Sequence, residues 1–312
     1  MVHIRIAGML SLAALLGGPA VAQTEANQSD AKKRASPISV EVTAGAEYDS
    51  NVSVNDIDTN TGSDDFAAVF DGDVSFAPDL GEGTSLELGY GFSQSLYNEF
   101  DAFNLQSHLV TADLSREYKG FEFGGAYRFS HARLGGAPFL TMHQIAPYFS
   151  RFLGESVYVR AEYAYSDKNF IGRTDRDART HAGSGDVYFF MRGAKTYFSA
   201  GYKYESENAV DPQFDYVGHG ARIRLSHKIP MGRRFVTMKA GYRFEDRSYS
   251  APTPSIGVAR QDQRHRLQSE VEIPIDDTFF ARLEFEHADF QSNLPSADFT
   301  QNVGSAKLGA RF

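Results

Sequence analysis

The 312-residue chain has no cysteine and no tryptophan. The first absence excludes disulfide stapling, thiolate ligands and cysteine nucleophiles, so stability must come from something other than covalent cross-links. Long apolar runs are missing as well. The hydrophobic stretch Ile6 to Leu16 is too short to span a bilayer, and nothing later approaches the roughly 18 apolar residues that a transmembrane helix needs. Neither a Gly-x-Ser-x-Gly elbow nor a His-Glu-x-x-His pair occurs, which removes two common hydrolase signatures. Positive charge is absent over a long interval: between Arg34 and Arg116 there is no Lys or Arg against 15 Asp or Glu, and from Arg116 onward 27 basic residues face 23 acidic ones. This is either drift of composition or an acidic wall set across a lumen from a basic one.

Residues 1–22 read as a secretory signal. Arg5 supplies the positive start, an apolar run follows, and Ala20-Val21-Ala22 offers small residues for cleavage before Gln23. Residues 23–36 are polar, carry Lys32-Lys33-Arg34, and read as a disordered periplasmic leader. Residues 37–312 are expected to form one domain.

That domain is written in alternation. Val236, Met238, Ala240, Tyr242 and Phe244 fall on one face of a strand, and Thr237, Lys239, Gly241, Arg243 and Glu245 on the other. The same pattern recurs in Phe279 to Glu286, Phe121 to Phe129, Val157 to Tyr165 and Ile38 to Tyr48. It predicts strands at 38–49, 66–77, 84–97, 104–117, 121–131, 140–153, 157–167, 181–193, 196–206, 216–229, 234–247, 262–275, 278–290 and 299–312. Connections alternate short and long, the long ones near 50–65, 98–103, 132–139, 168–180, 207–215, 248–261 and 291–298. Tight turns at one end and longer loops at the other belong to a transmembrane antiparallel up-and-down β-barrel, all-β, of about 14 strands, with both termini periplasmic. A soluble sandwich or barrel is the competitor, but so many long strands would enclose more interior than apolar side chains could fill. Without tryptophan, interfacial girdles fall to Tyr and Phe, for example Tyr48, Tyr97, Tyr118, Tyr165 and Tyr204.

The inward faces carry charge. Expected pore-lining acidic residues are Glu41, Glu47, Asp71, Asp73 and Glu87; basic ones are Arg128, Arg160, Arg222, Arg224, Lys239, Arg243, Arg264, Arg266 and Arg282. Lys228, Glu245, Glu270 and Glu272 share those faces. Guanidinium groups stay charged and grip carboxylates or phosphates in a fork, so such rows select ions if free and stiffen or plug the barrel if paired. Loops 50–65, 168–180 and 248–261 could fold inward, with Arg173, Arg176 and Arg179 as gate or lipopolysaccharide contacts. Asp56, Asp58 and Asn60 echo a calcium loop, but the glycine falls one place late and Ala67 stands where the bidentate Glu should be, so a solvated acidic loop is the better reading. Histidines 108, 219, 227, 265 and 287 fall on or beside outer faces and form no catalytic spacing.

The chain ends on Phe312, preceded at alternate positions by Ala310, Leu308 and Ala306. This resembles the carboxy-terminal signal read by the barrel-assembly machinery. Gly45-Ala46-Glu47-Tyr48-Asp49-Ser50-Asn51-Val52 resembles the opening strand of several outer-membrane barrel families. Those include the 14-stranded carboxy-terminal barrel of surface lipoprotein assembly modifiers and putative porins linked to polysaccharide export. The modifiers carry a helical-repeat domain that has no counterpart in the 14-residue leader here. The resemblances imply a cell outer membrane of a Gram-negative bacterium, with membrane lipid, lipopolysaccharide and small solutes as partners. No cofactor and no nucleic acid are expected, and a homotrimer is one possible assembly. A porin-like channel for small hydrophilic solutes, with a basic strip that favours anionic ones, is the leading expectation; an export barrel acting with a partner, and a barrel enzyme, are the alternatives.

Overall fold

The computed structural model describes residues 36–312, together with a short pairing of Gly8–Met9 with Gln23–Thr24. The expectations for signal and leader otherwise lie outside the described residues. Fourteen strands close into a single antiparallel barrel in sequence order. They are β1 Ile38–Asp49, β2 Asp65–Phe76, β3 Thr84–Tyr97, β4 Leu105–Tyr118, β5 Phe121–Leu134, β6 Ala137–Leu153 and β7 Val157–Phe170. They continue as β8 Ala178–Met191, β9 Thr196–Ala209, β10 Tyr216–Met231, β11 Arg234–Thr253, β12 Val258–Pro274, β13 Phe279–Ser292 and β14 Phe299–Arg311.

The alternation decides which face each residue takes. Phe66, Leu114, Ile145, Leu283 and Leu308 are half to two-thirds exposed on the outer face, while Glu41, Asp186, Glu205, Asp262 and Arg260 are nearly buried inside. A soluble barrel would invert that arrangement. Here the outer face meets hydrocarbon and the closed ring leaves no strand edge unpaired, as a bilayer demands.

Turn chemistry sets the connections. Lys119-Gly120 and Gly135-Gly136 each place two successive residues at positive φ (52° and 78°, 55° and 78°). That is the type I′ geometry whose twist matches a β-hairpin. The second pair corrects the expected long loop at 132–139: β5 runs to Leu134, β6 begins at Ala137, and two glycines suffice between them. Likewise 248–261 is mainly an extended hairpin, with β11 reaching Thr253 and β12 starting at Val258.

The ring closes where β14 pairs with β1, from Val303↔Asp49 to Arg311↔Glu41. Phe312 exchanges two backbone hydrogen bonds with Val40, at 2.9 and 3.1 Å. Gly45 sits on this seam, and a Cβ there would lie 2.1 Å from the Ala306 carbonyl oxygen and 2.8 Å from the Lys307 Cα. The backbones therefore approach as only glycine permits. Leu308 and Phe312 project from the outer face near this edge, and Ala310, on the same face, is covered between its register partners Phe279 and Val42.

Candidate functional site

Residues 50–64 form a lid that folds into the barrel mouth. Asp49 begins it: its carboxylate accepts the Asn51 backbone N–H at 2.9 Å, the Gln301 amide at 2.8 Å and the Tyr97 hydroxyl at 3.1 Å. Tyr97 thus points inward and leaves the girdle expected of it, because the buried carboxylate needs its donor; Tyr48, Tyr118, Tyr165 and Tyr204 stay on the outer face. Two-residue strands Ser53–Val54 and Thr59–Asn60 pair within the lid around a 3-10 turn, Asn55–Ile57. Val54 is buried against Ala132, Phe139, Leu140 and Phe170, so apolar side chains of β5, β6 and β7 hold one side of the lid.

The other side is held by charge. Asp58, at positive φ (53°), accepts hydrogen bonds from Arg260 on β12 at 2.8 Å and from Arg176 at 2.7 Å. Arg176 also donates to the Asp56 carbonyl and lies over the Phe214 ring, and Arg260 is doubly bound to Asp262 at 2.7 Å. Burial alone would raise the Asp58 carboxyl, but Arg260 and Arg176 overcome it and hold it at about 2. The solvated acidic loop expected at 56–60 is instead docked into the barrel mouth, with Asp58 buried. Asp58 is spent on two guanidiniums, Asn60 donates to the Ser296 carbonyl, and no metal-sized cluster of His, Asp or Glu occurs among the described residues. Of the three loop arginines, Arg176 is the one turned inward; Arg173 and Arg179 stay at the rim, 3.6 and 3.9 Å from Asp175 and Asp167.

Asp56 behaves oppositely. Burial raises its carboxyl to about 6, with Lys168, Arg247 and Arg264 pulling it down, and its Oδ2 has no hydrogen-bond partner. The docked lid therefore holds this proton more tightly than a free loop would, so docking is favoured on the acid side and weakens as pH rises through about 6. Acidification from pH 7.5 to 5 should tighten the lid by about 1 kcal/mol and lower single-channel conductance. Asp56→Asn should fix the acid-like state at both pH values. An unchanged pH response in that variant would refute the assignment.

Below the lid every sequence-predicted charge lies on an inward face, and most are paired. Arg222 clasps Asp186 at 2.6 Å, Arg160 meets Glu162 at 2.7 Å, Arg243 meets Glu245 at 2.8 Å and Lys239 meets Glu270 at 3.0 Å. Arg128 donates to Gln144 at 2.7 Å; Arg264 binds Asp262 at 3.2 Å, and Arg266 stands 3.8 Å from Glu286. At the short-turn mouth Arg282 joins Glu41 at 2.8 Å and Glu272 at 2.7 Å, while Arg311 reaches the same two carboxylates. Lys307 links Asp71 at 3.0 Å to Glu284 at 2.8 Å. Glu87 faces the lumen from β3. The pairing follows from elementary cost, because a charge crowded against the wall must find a counter-charge.

Three charges escape this pairing. Among the described residues, Glu47 and Asp73 on β1 and β2 and Arg224 on β10 have no hydrogen bond or ion pair through their side chains. They stand on well-separated walls, acid on one and guanidinium on the other.

No protein-family model matches the chain, and no curated protein matches it in sequence. Solved structures do share its shape. An anion-selective porin from Comamonas acidovorans superposes with a TM-score of 0.51 at 10% identity, over 88% of this chain and 98% of that one. OprD of Pseudomonas aeruginosa gives 0.45 at 10% identity over 88% and 95%, and OccAB3 of Acinetobacter baumannii gives 0.47 at 9% over 88% and 99%. At such identities the likeness is one of fold. The class is defined all the same: this is a multi-pass β-barrel of the Gram-negative outer membrane. Within that class it has porin-like architecture, here of 14 strands. The specific resemblance to lipoprotein assembly modifiers finds no support among these structures.

Proposed function

We propose that the barrel is a porin-like channel through which small hydrophilic solutes diffuse, with a bias toward anions. The observation that supports this most directly is a charge-lined interior in a closed membrane-spanning wall, roofed by one lid held by side chains. Diffusion through it needs no cofactor, energy source or covalent step. Arg224, with no carboxylate bound to it among the described residues, is the guanidinium left to meet a passing anion. The long connections face outward and both termini face the periplasm. Leu308, Ala310 and Phe312 serve recognition by the barrel-assembly machinery, and a trimer is compatible with this layout.

The test is single-channel recording of the refolded barrel in a planar bilayer under a salt gradient. Open-channel steps with anion preference are expected, and a folded but silent barrel would overturn the reading. Arg224→Gln should lower the anion-to-cation permeability ratio and leave the melting temperature unchanged. Arg222→Gln should lower both, because it strands the buried Asp186 at a cost of about 3 kcal/mol. Equal melting temperatures for the two variants would refute that distinction.

A further inference from the structure

All eight described histidines lie on the outer face, and five of them repeat one arrangement. Tyr90, Tyr127, Tyr163, Tyr202 and Tyr242 each share a hydrogen bond with the Nδ1 of a histidine on the next strand. The partners are His108, His143, His181, His219 and His265, and the distances are 2.8, 2.9, 2.6, 2.6 and 2.7 Å. The aromatic residue two places beyond each tyrosine lies against the same imidazole. Phe92, Phe129, Tyr165, Tyr204 and Phe244 stand with ring centroids 4.9 to 5.4 Å from it. The five units occupy five successive hairpins, β3–β4 to β11–β12, on the side of the long connections. Two strand spacings, about 10 Å, separate one unit from the next. Below them the outer face is mainly apolar, with Leu114, Ile145, Ile223 and Leu225 exposed; above them it carries Gln94, Asp167, Arg179, Ser206 and Asp246 among a few apolar residues such as Leu96 and Val217. The belt therefore lies where hydrocarbon gives way to headgroups.

An ordinary aromatic girdle needs neither the histidines nor this register. A phenol is a better donor than a neutral imidazole, so the tyrosine donates to Nδ1 and the ring proton sits on Nε2. The neighbouring aromatic, tilted by 42 to 63° against the imidazole, holds the ring, and Nε2–H is left as a donor at its far corner. Inside hydrocarbon such a donor would cost free energy; at the headgroup level it has a partner. Arg133, whose guanidinium donates to the Gly136 carbonyl, and Arg179, which is 73% exposed and 3.9 Å from Asp167, extend from the same face one outward position above His131 and His181. Fixed N–H donors backed by guanidinium groups match a phosphate.

We propose that the belt binds the phosphate groups of an outer-leaflet phosphorylated glycolipid, each Tyr–His pair offering Nε2–H to a phosphate oxygen. The assignment rests on the outward placement of the long connections, which labelling of Val210→Cys on intact cells tests separately. The experiment compares the detergent-folded full barrel with diphosphoryl lipid A, with dephosphorylated lipid A and with phosphatidylglycerol. Thermal shift and native mass spectrometry are the readouts. Wild type should retain several molecules of the diphosphoryl lipid and show a raised melting temperature. The triple variant His181→Phe, His219→Phe, His265→Phe keeps the girdle's aromatic volume and should retain fewer, with the phosphate-dependent shift at least halved. Tyr202→Phe alone, which removes only the hydroxyl, should give a smaller loss in the same direction and covers a triple variant that fails to fold. Equal shifts with the dephosphorylated lipid or with phosphatidylglycerol, or wild-type retention by the variants, would overturn the proposal.

Discussion

Replacing Gly45 by valine should prevent the barrel from closing. A Cβ at this position would meet not a flexible side chain but the Ala306 carbonyl and the Lys307 Cα on β14. Relief requires the two backbones to part, and the seam would then lose ladder hydrogen bonds around the Gly45–Lys307 register pair, leaving polar groups unsatisfied in a bilayer. Overpacking alone costs about 1–3 kcal/mol, and each unsatisfied backbone group costs several more, so the total rivals the whole stability of a domain. The expected result is loss of the folded, heat-modifiable band on unheated gels, with the protein trapped as aggregate or degraded. Gly125→Val is the matched control, since a Cβ there meets nothing within 4 Å. A fully folded Gly45→Val barrel would show that the seam yields more easily than its geometry implies.

Strand number and order were legible, and so was facing in the cleanly alternating strands, because period two admits only two registers and the lipid face rejects charge. In strands β4, β6 and β8 the alternation is too weak to fix it, and Tyr97 turns inward against expectation. The pattern 234–247 appears in the barrel with the facing that the sequence predicts. The ends of strands were less legible: β5 and β6 run on through residues whose alternation fades, and the Gly135-Gly136 turn was hidden inside a seemingly long loop. Counter-ions were not legible at all. Asp58 and Arg260 stand 202 residues apart, Glu41 and Arg282 stand 241 apart, and barrel closure alone brings each pair together. The Tyr–His belt is different, because its signal was present. Tyr-x-aromatic-Ser or Glu recurs at Tyr90, Tyr127, Tyr163, Tyr202 and Tyr242, spaced 36 to 40 residues apart, with a histidine 16 to 23 residues after each tyrosine. A search for internal repeats, rather than for catalytic spacings, exposes it.

The largest effect on conduction is expected from Asp58→Ala. The wild-type carboxylate answers two guanidinium groups at once, one of them on Arg260, which is 2% exposed. Removing one partner of a buried charge pair costs about 3–5 kcal/mol, because the remaining charge stays desolvated. Arg260 keeps Asp262 and Arg176 keeps the Asp56 carbonyl, so the loss falls on lid docking rather than on the barrel wall. Against it stand the buried Val54 contacts and the lid's own backbone bonds, Val52 to Ser63 at 3.1 Å and Thr61 to Val52 at 2.9 Å. Deleting two methyl groups through Val54→Ala should cost about 1–2 kcal/mol, so the electrostatic clasp is the stronger of the two holds. Asp58→Ala should therefore raise single-channel conductance several-fold and add rapid flicker, while Val54→Ala should do neither fully. The double variant Asp58→Asn with Arg176→Gln removes the carboxylate together with the guanidinium left without one, while Arg260 keeps Asp262, and should restore part of the docking. Asp58 itself, held at about 2, stays ionised throughout pH 5 to 8, so the clasp should not respond to pH in that range. A conductance unchanged by Asp58→Ala would mean that the apolar side alone keeps the lid in place, and the clasp would lose its role as the gate.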